Sequence, residues 1–264
     1  MKHSIMSINK KFSVKNSLYF LFATAFWLTI WQIIYYIVGS DVIVASPIST
    51  FLRIIELSAQ GAFWLSILNS IGNILLGFLF SIVVAVPLSA ICSRSLFLQR
   101  LFSPLIKLVR ATPVASFIIL AIFWLSTDLV PTFISFLMVV PLVFTNLSEG
   151  FNNIDKNLIE MAQVYRFDFF KKVRLIYIPS LMPYFVSACS VGLGFAFKSG
   201  IAAEVIAQTK NTLGLAIYDA KVYIETVDVF ALTAVIIILS ILLEKAFMLL
   251  IKSISDKVLK GGAK

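Results

Sequence analysis

Apolar residues in this chain come in runs of about twenty, and polar residues come in short blocks between them. A bilayer with a hydrocarbon core of ~30 Å asks for runs of about that length. The pattern predicts about six membrane-spanning helices, at 17–38, 65–91, 104–125, 132–147, 181–206 and 229–251. The first run is too long for the apolar region of a signal peptide and is read as a retained span. The third and fourth runs are short, and only Val114 to Leu125 of the third is free of charge. Between the first two spans, Ser46-Pro47 reads as the start of a short helix on the outer surface. The fifth span carries Ala188, Gly192 and Ala196, with Ser190 and Gly194 in a parallel series. Small residues at that spacing let helices approach closely, so this helix is expected in the middle of the bundle. Gly77 and Ser81 make a similar pair in the second span, although scattered glycines are also tolerated in membrane helices. The expected fold is therefore an all-α integral membrane protein forming a single domain.

Composition agrees. Hydrophobic residues make up 60% of the 264 and charged residues 13%, far from the ~25% charged of a soluble domain. The net charge of +9 would suggest nucleic acid in a soluble protein. Here the positive-inside rule explains it, and no nucleic acid partner is expected. With both termini inside, eighteen of the twenty-two lysines and arginines fall on inner segments. The outer segments hold Arg53, Lys210 and Lys221, and Lys198 lies within a span. That count predicts a multi-pass protein of the cell membrane with cytoplasmic termini. Cys92 and Cys189 are single residues in apolar runs, and the one histidine is His3. No zinc site, disulfide framework or catalytic constellation follows. A phosphate-binding GxxxxGK[ST] loop is absent as well, so no cofactor is expected on this chain.

The longest polar interruption is 149–179, between the fourth and fifth spans, and the charge count puts it in the cytoplasm. Ile154, Leu158, Met161, Ala162 and Tyr165 recur on one helical face. Asp168 is placed to cap a second short helix, with Phe170, Val173 and Tyr177 on one side and Lys171, Lys172 and Arg174 on the other. Pro179 and Pro183 are expected to stop that helix and open the fifth span. Such a hairpin either lies on anionic lipid or is presented to a groove in a soluble partner.

The segment IEMAQVYRFDFFKKVRLIYIPSLMP resembles the EAA loop of permease subunits of ABC importers, with Glu160, Met161 and Ala162 at the Glu-Ala-Ala positions and Pro179 at the family proline. GLGFAFKSGIAAEVIA and NSIGNILLGF resemble segments of the nitrate, sulfonate and taurine group. Arg166 stands where the family has a glycine at the turn. Either Arg166 adopts the left-handed conformation or the two helices meet at a different bend. The resemblance implies that Glu160, Met161, Ala162, Tyr165, Arg166, Asp168, Lys171 and Pro179 dock a cytoplasmic ATP-binding subunit. It also implies an extracytoplasmic solute-binding protein and a second permease copy, with the path between copies. The solute is expected to be a nitrate-, sulfonate- or taurine-like anion, or alternatively a thiamine or pyrimidine precursor. A secondary transporter with a surface-lying hairpin is the rival from another class.

Ionisable residues inside membranes are costly and face a cavity or a partner. Lys198 and Glu204 are therefore candidate path residues, Lys198 favouring an anion and Glu204 making a gate or hinge contact near the outer end.

Overall fold

The computed structural model describes residues 14–261. The lysines at 2, 10 and 11, His3 and Lys264 lie outside them. The described residues form helices without strands: α1 (Val14–Val38), α2 (Pro47–Ser58), α3 (Gly61–Arg94), α4 (Leu96–Ala111), α5 (Val114–Trp124), α6 (Val130–Asn152), α7 (Lys156–Val164), α8 (Phe169–Lys172), a π-helical turn (Val173–Tyr177), α9 (Ile178–Ala207), α10 (Leu213–Val222) and α11 (Thr226–Gly261). Five stretches are long and apolar enough to cross a bilayer: Leu21–Val38, Gly61–Arg94, Val130–Asn152, Phe169–Ala207 and Thr226–Ser253.

The expected third span, 104–125, is not one continuous helix. α4 and α5 meet at 104°, and they count as a sixth span only together. The break falls at Thr112-Pro113. A residue before proline is pushed out of the helical region, and Thr112 is extended at φ −82°, ψ 134°. α5 has only 11 residues, about 16 Å at 1.5 Å per residue, half the depth of a bilayer.

α3, α6 and α9 form the middle of the bundle, with α5, α10 and α11 packed around α9. Ala188, Gly192, Ala196, Gly200 and Ala203 of α9 are buried there, as the small-residue spacing predicts. Gly77 sits where α3 touches α6: a Cβ on it would lie 2.2 Å from the Thr132 carbonyl oxygen. Around Gly72 there is open space, so the two glycines of the second span have different reasons to be there. The Ser135 hydroxyl donates to the Ala196 carbonyl at 3.2 Å, joining α6 to α9.

α2 begins as expected, with Pro47 in its first turn and the Ser46 hydroxyl accepting from the Ser49 N–H at 3.0 Å. α1 leans on the bundle near its end. There the Trp31 indole N–H donates to the Ala45 carbonyl at 3.0 Å and its ring stacks on Phe230. Arg53 of α2 pairs with Asp228 at the start of α11, so α2, the start of α11 and the start of α3 share the end of the bundle opposite 149–179.

Candidate functional site

The polar stretch folds as a hairpin at the other end. The Asp155 carboxylate starts α7 by accepting from the Asn157 N–H at 2.9 Å. α7 ends in a turn closed by two hydrogen bonds. The Phe167 N–H reaches the Ala162 carbonyl at 2.8 Å and the Arg166 N–H reaches Gln163 at 3.0 Å. This is the pairing of a Schellman C-cap, which needs a left-handed residue at the position of Arg166. Arg166 provides it with φ 49°. Of the two alternatives for this residue, the backbone takes the left-handed one.

Inside the hairpin Ile154, Ala162 and Ile176 form a small core, flanked by Phe151, Ile159, Phe167 and Tyr177. The expected single apolar face is therefore corrected. Ile154 precedes α7, and of the five predicted positions only Ile154 and Ala162 turn inward. Leu158, Met161 and Tyr165 are exposed, together with Val164, Phe169 and Phe170. Val164 is 80% exposed and Phe170 78%, two of several large apolar side chains that this chain leaves uncovered within 158–170. Glu160, Arg166, Asp168 and Lys171 are exposed beside it, and the Lys171 ammonium stands 4.3 Å from the Phe167 ring centre.

Two further expectations are corrected here. Asp168 occupies the N-cap position of α8, yet its side chain accepts no capping hydrogen bond. It is exposed, and water can satisfy the first N–H groups of so open a turn. Pro179 and Pro183 do not separate the hairpin from the span. α8 passes through the π turn directly into α9 as one helical run, Phe169–Ala207. The Ile178 N–H reaches back five residues to the Val173 carbonyl. That wider turn lies just ahead of Pro179, whose ring would otherwise press on a carbonyl four residues back.

The hairpin is fixed at its root. The Asn153 amide donates to the Tyr184 hydroxyl at 3.2 Å, and the rings of Phe151 and Tyr177 lie 6.1 Å apart. The Arg94 guanidinium at the end of α3 lies 5.4 Å from the Phe169 ring centre. The root of the hairpin therefore touches α3, α6 and α9 together.

Lys198 and Glu204 differ sharply. Lys198 is exposed on α9, on one side with Val191 and Phe195, and makes no ion pair among the described residues. Glu204 is fully buried, and its Oε2 accepts from the Ser70 hydroxyl at 2.8 Å and the Gly214 N–H at 3.1 Å.

Residues 74–260 match the family described as the binding-protein-dependent transport system inner membrane component. That is well over half of the chain. The chain belongs to this family. It is an ABC importer permease subunit, a multi-pass membrane protein that transports rather than catalyses. The permease is 25% identical over 210 residues to the putative aliphatic sulfonates transport permease protein SsuC of Bacillus subtilis, covering 77% of this chain and 74% of that one. It is 24% identical over 182 residues to the taurine transport system permease protein TauC of Escherichia coli, covering 69% and 66%. It is 25% identical over 205 residues to the nitrate import permease protein NrtB of Synechococcus elongatus, covering 74% and 73%.

Sequence reasoning passed over the contacts of four residues of the permease. Ser70 holds Glu204 from 134 positions away, and its polar neighbours Asn69 and Asn73 in an apolar run were the available signal. Arg53 and Asp228 find each other across the same kind of distance. Glu244 lies inside the last apolar run and accepts from the Ser190 hydroxyl of α9 at 3.4 Å. A lone carboxylate in a span was the signal for it.

Proposed function

We propose that this permease is the membrane subunit of an ATP-driven importer, and that its hairpin 149–179 seats in a cytoplasmic ATP-binding subunit. The observation that carries the reading is the exposed apolar tip formed by Met161, Val164, Tyr165 and Phe170 on a hairpin whose root is fixed. Glu160 and Asp168 lie beside it with Arg166 and Lys171. A rim of both signs suits a protein groove better than an anionic lipid surface, which would repel the acids. With the hairpin in the cytoplasm, the basic inner segments and both termini are cytoplasmic too.

The path runs between this chain and a second copy, and an extracytoplasmic solute-binding protein delivers the solute. Closure of the ATPases around bound ATP moves the hairpin, and the bundle alternates between inward-open and outward-open. ATP is bound by the partner, and this chain takes no cofactor. The solute is a small anion, supported by relatives named for sulfonates, taurine and nitrate. Lys198 is the positive charge that faces it. It stands exposed on α9 without an intrachain partner among the described residues, a placement that is costly in lipid and useful beside an anion.

The test is reconstitution of the permease with the ATPase from its genome neighbourhood in proteoliposomes. The wild type is expected to form a complex that hydrolyses ATP. Glu160→Ala with Arg166→Ala, and separately Val164→Asp, are expected to lose that hydrolysis while the permease stays folded. A wild type that binds no ATPase, or tip variants that hydrolyse as the wild type does, would overturn the docking role.

A further inference from the structure

At the end of the bundle away from the hairpin, the chain turns a corner between α9 and α10, and polar side chains from α3 and α9 hold that corner. Glu204 on the last turn of α9 is fully buried, and so is Ser70 of α3. Ser70 works in both directions. Its hydroxyl donates to Glu204 Oε2 at 2.8 Å and accepts from the Leu213 N–H at 2.9 Å. Glu204 Oε2 also accepts from the Gly214 N–H at 3.1 Å. The two N–H groups that open α10 are thus taken by a hydroxyl and a carboxylate from two other helices.

The turn itself is tied down. It passes through two non-glycine residues in the left-handed region, Gln208 at φ 52° and Asn211 at φ 54°. The Thr209 hydroxyl donates to the Thr127 carbonyl, between α5 and α6, at 2.8 Å. The Thr212 hydroxyl donates to the Thr209 carbonyl at 2.7 Å, and the Asn69 amide donates to the Asn211 carbonyl at 2.9 Å. There is no spare room either. A Cβ on Gly214 would lie 2.2 Å from the Glu204 Cβ.

Resting on the importer reading above, we propose that Glu204 is a positioning residue: it clasps the start of α10 onto α3 and α9, so that the corner from Glu204 to Gly214 travels as one block during transport. The seams between α3, α9 and α10 stay shut through the cycle, and the outer end opens along another surface. The side chain touches no solute. Its work is done by an acceptor oxygen in the right place, because Oε2 takes both bonds and Oε1 has no hydrogen-bond partner among the described residues.

A clasp needs an acceptor oxygen, whereas a residue facing the path needs its charge. Glu204→Gln keeps an acceptor oxygen for Ser70 and Gly214, whereas Glu204→Ala keeps nothing. In the complex with its ATPase in proteoliposomes, Glu204→Gln is expected to hydrolyse ATP as the wild type does. Glu204→Ala is expected to fall about tenfold or more, the size of an ordinary coupling between sites. A second arm keeps the question open to refutation if Glu204→Ala folds poorly. In a chain with Cys92 and Cys189 changed to Ala, Asn69→Cys and Asn211→Cys are joined by a short bifunctional thiosulfonate. The proposal expects equal cross-linking rates without nucleotide and with the ATPase trapped by ATP and vanadate, and it expects hydrolysis to continue after cross-linking. The same cross-link is expected to restore hydrolysis to Glu204→Ala. Rates that differ between the two states, a cross-link that stops hydrolysis until it is cleaved by reductant, or a Glu204→Gln as inactive as Glu204→Ala would each overturn the clasp. A wild type that never binds the ATPase would overturn the importer reading itself, and the clasp with it.

Discussion

Arg53 on α2 grips Asp228 at the start of α11 with two nitrogens, Nε to Oδ1 at 2.5 Å and Nη2 to Oδ2 at 2.9 Å. Its remaining nitrogen reaches Glu56 on its own helix at 2.8 Å. The fork of a guanidinium can hold both carboxylate oxygens at once, and an ammonium cannot. Asp228 is only 15% exposed, so the pair is shielded better than an ordinary surface bridge. Arg53→Lys is expected to lower stability by about 1–2 kcal/mol. A fall in the detergent-solubilised unfolding temperature, reproduced by Asp228→Asn and not deepened in the double variant, checks it.

Arg166 holds a left-handed turn that costs a residue with a Cβ about 1 kcal/mol. Arg166→Gly is expected to raise stability by roughly 0.5 kcal/mol, since glycine recovers the strain and gives part of it back as chain entropy. Thermal unfolding beside Arg166→Val, which must lose stability, is the measurement. A loss with glycine would mean that the Arg166 side chain contributes more than its backbone costs.

Gly77 and Gly72 invite opposite expectations. Gly77→Ala drives a methyl group against the Thr132 carbonyl and should cost ~1–3 kcal/mol by overpacking. Gly72→Ala meets nothing within 4 Å and should gain up to about 1 kcal/mol in helix propensity. Unfolding temperatures of the two variants that moved the same way would contradict the packing of α3 on α6.

Lys198→Gln removes the charge proposed to face the solute. The half-saturating concentration is expected to rise several-fold in uptake assays with nitrate and with taurine, whichever is carried, while the maximal rate changes less. Unchanged uptake would remove Lys198 from the path.

Legibility followed range in the chain. The membrane class, the cap at Ser46-Pro47 and the crowded α9 were readable because each rests on residues within a single stretch of chain. The break at Thr112-Pro113 was written as plainly, in a proline preceded by a threonine, but joining the short charge-free run to the residues before it hid the corner. The face of α7 was misread because periodicity counts apolar residues without saying what covers them, and Leu158, Met161 and Tyr165 are left uncovered within this chain. Glu204 was visible as a charge in an apolar run, and its partner was not. Nothing local to Ser70 says that it will meet a carboxylate 134 residues later.

The π turn at Val173–Tyr177 has a mechanical consequence. It makes Phe169–Ala207 one rod of 39 residues, about 58 Å at 1.5 Å per residue. That is nearly twice the ~30 Å of bilayer hydrocarbon. The hairpin is at its foot and Glu204 near its tip. A tilt of about 5° at the foot would sweep the tip by about 5 Å over such a length. In the importer proposed above, motion at the hairpin needs no relay of side-chain contacts to reach Glu204, because one helical run joins the two.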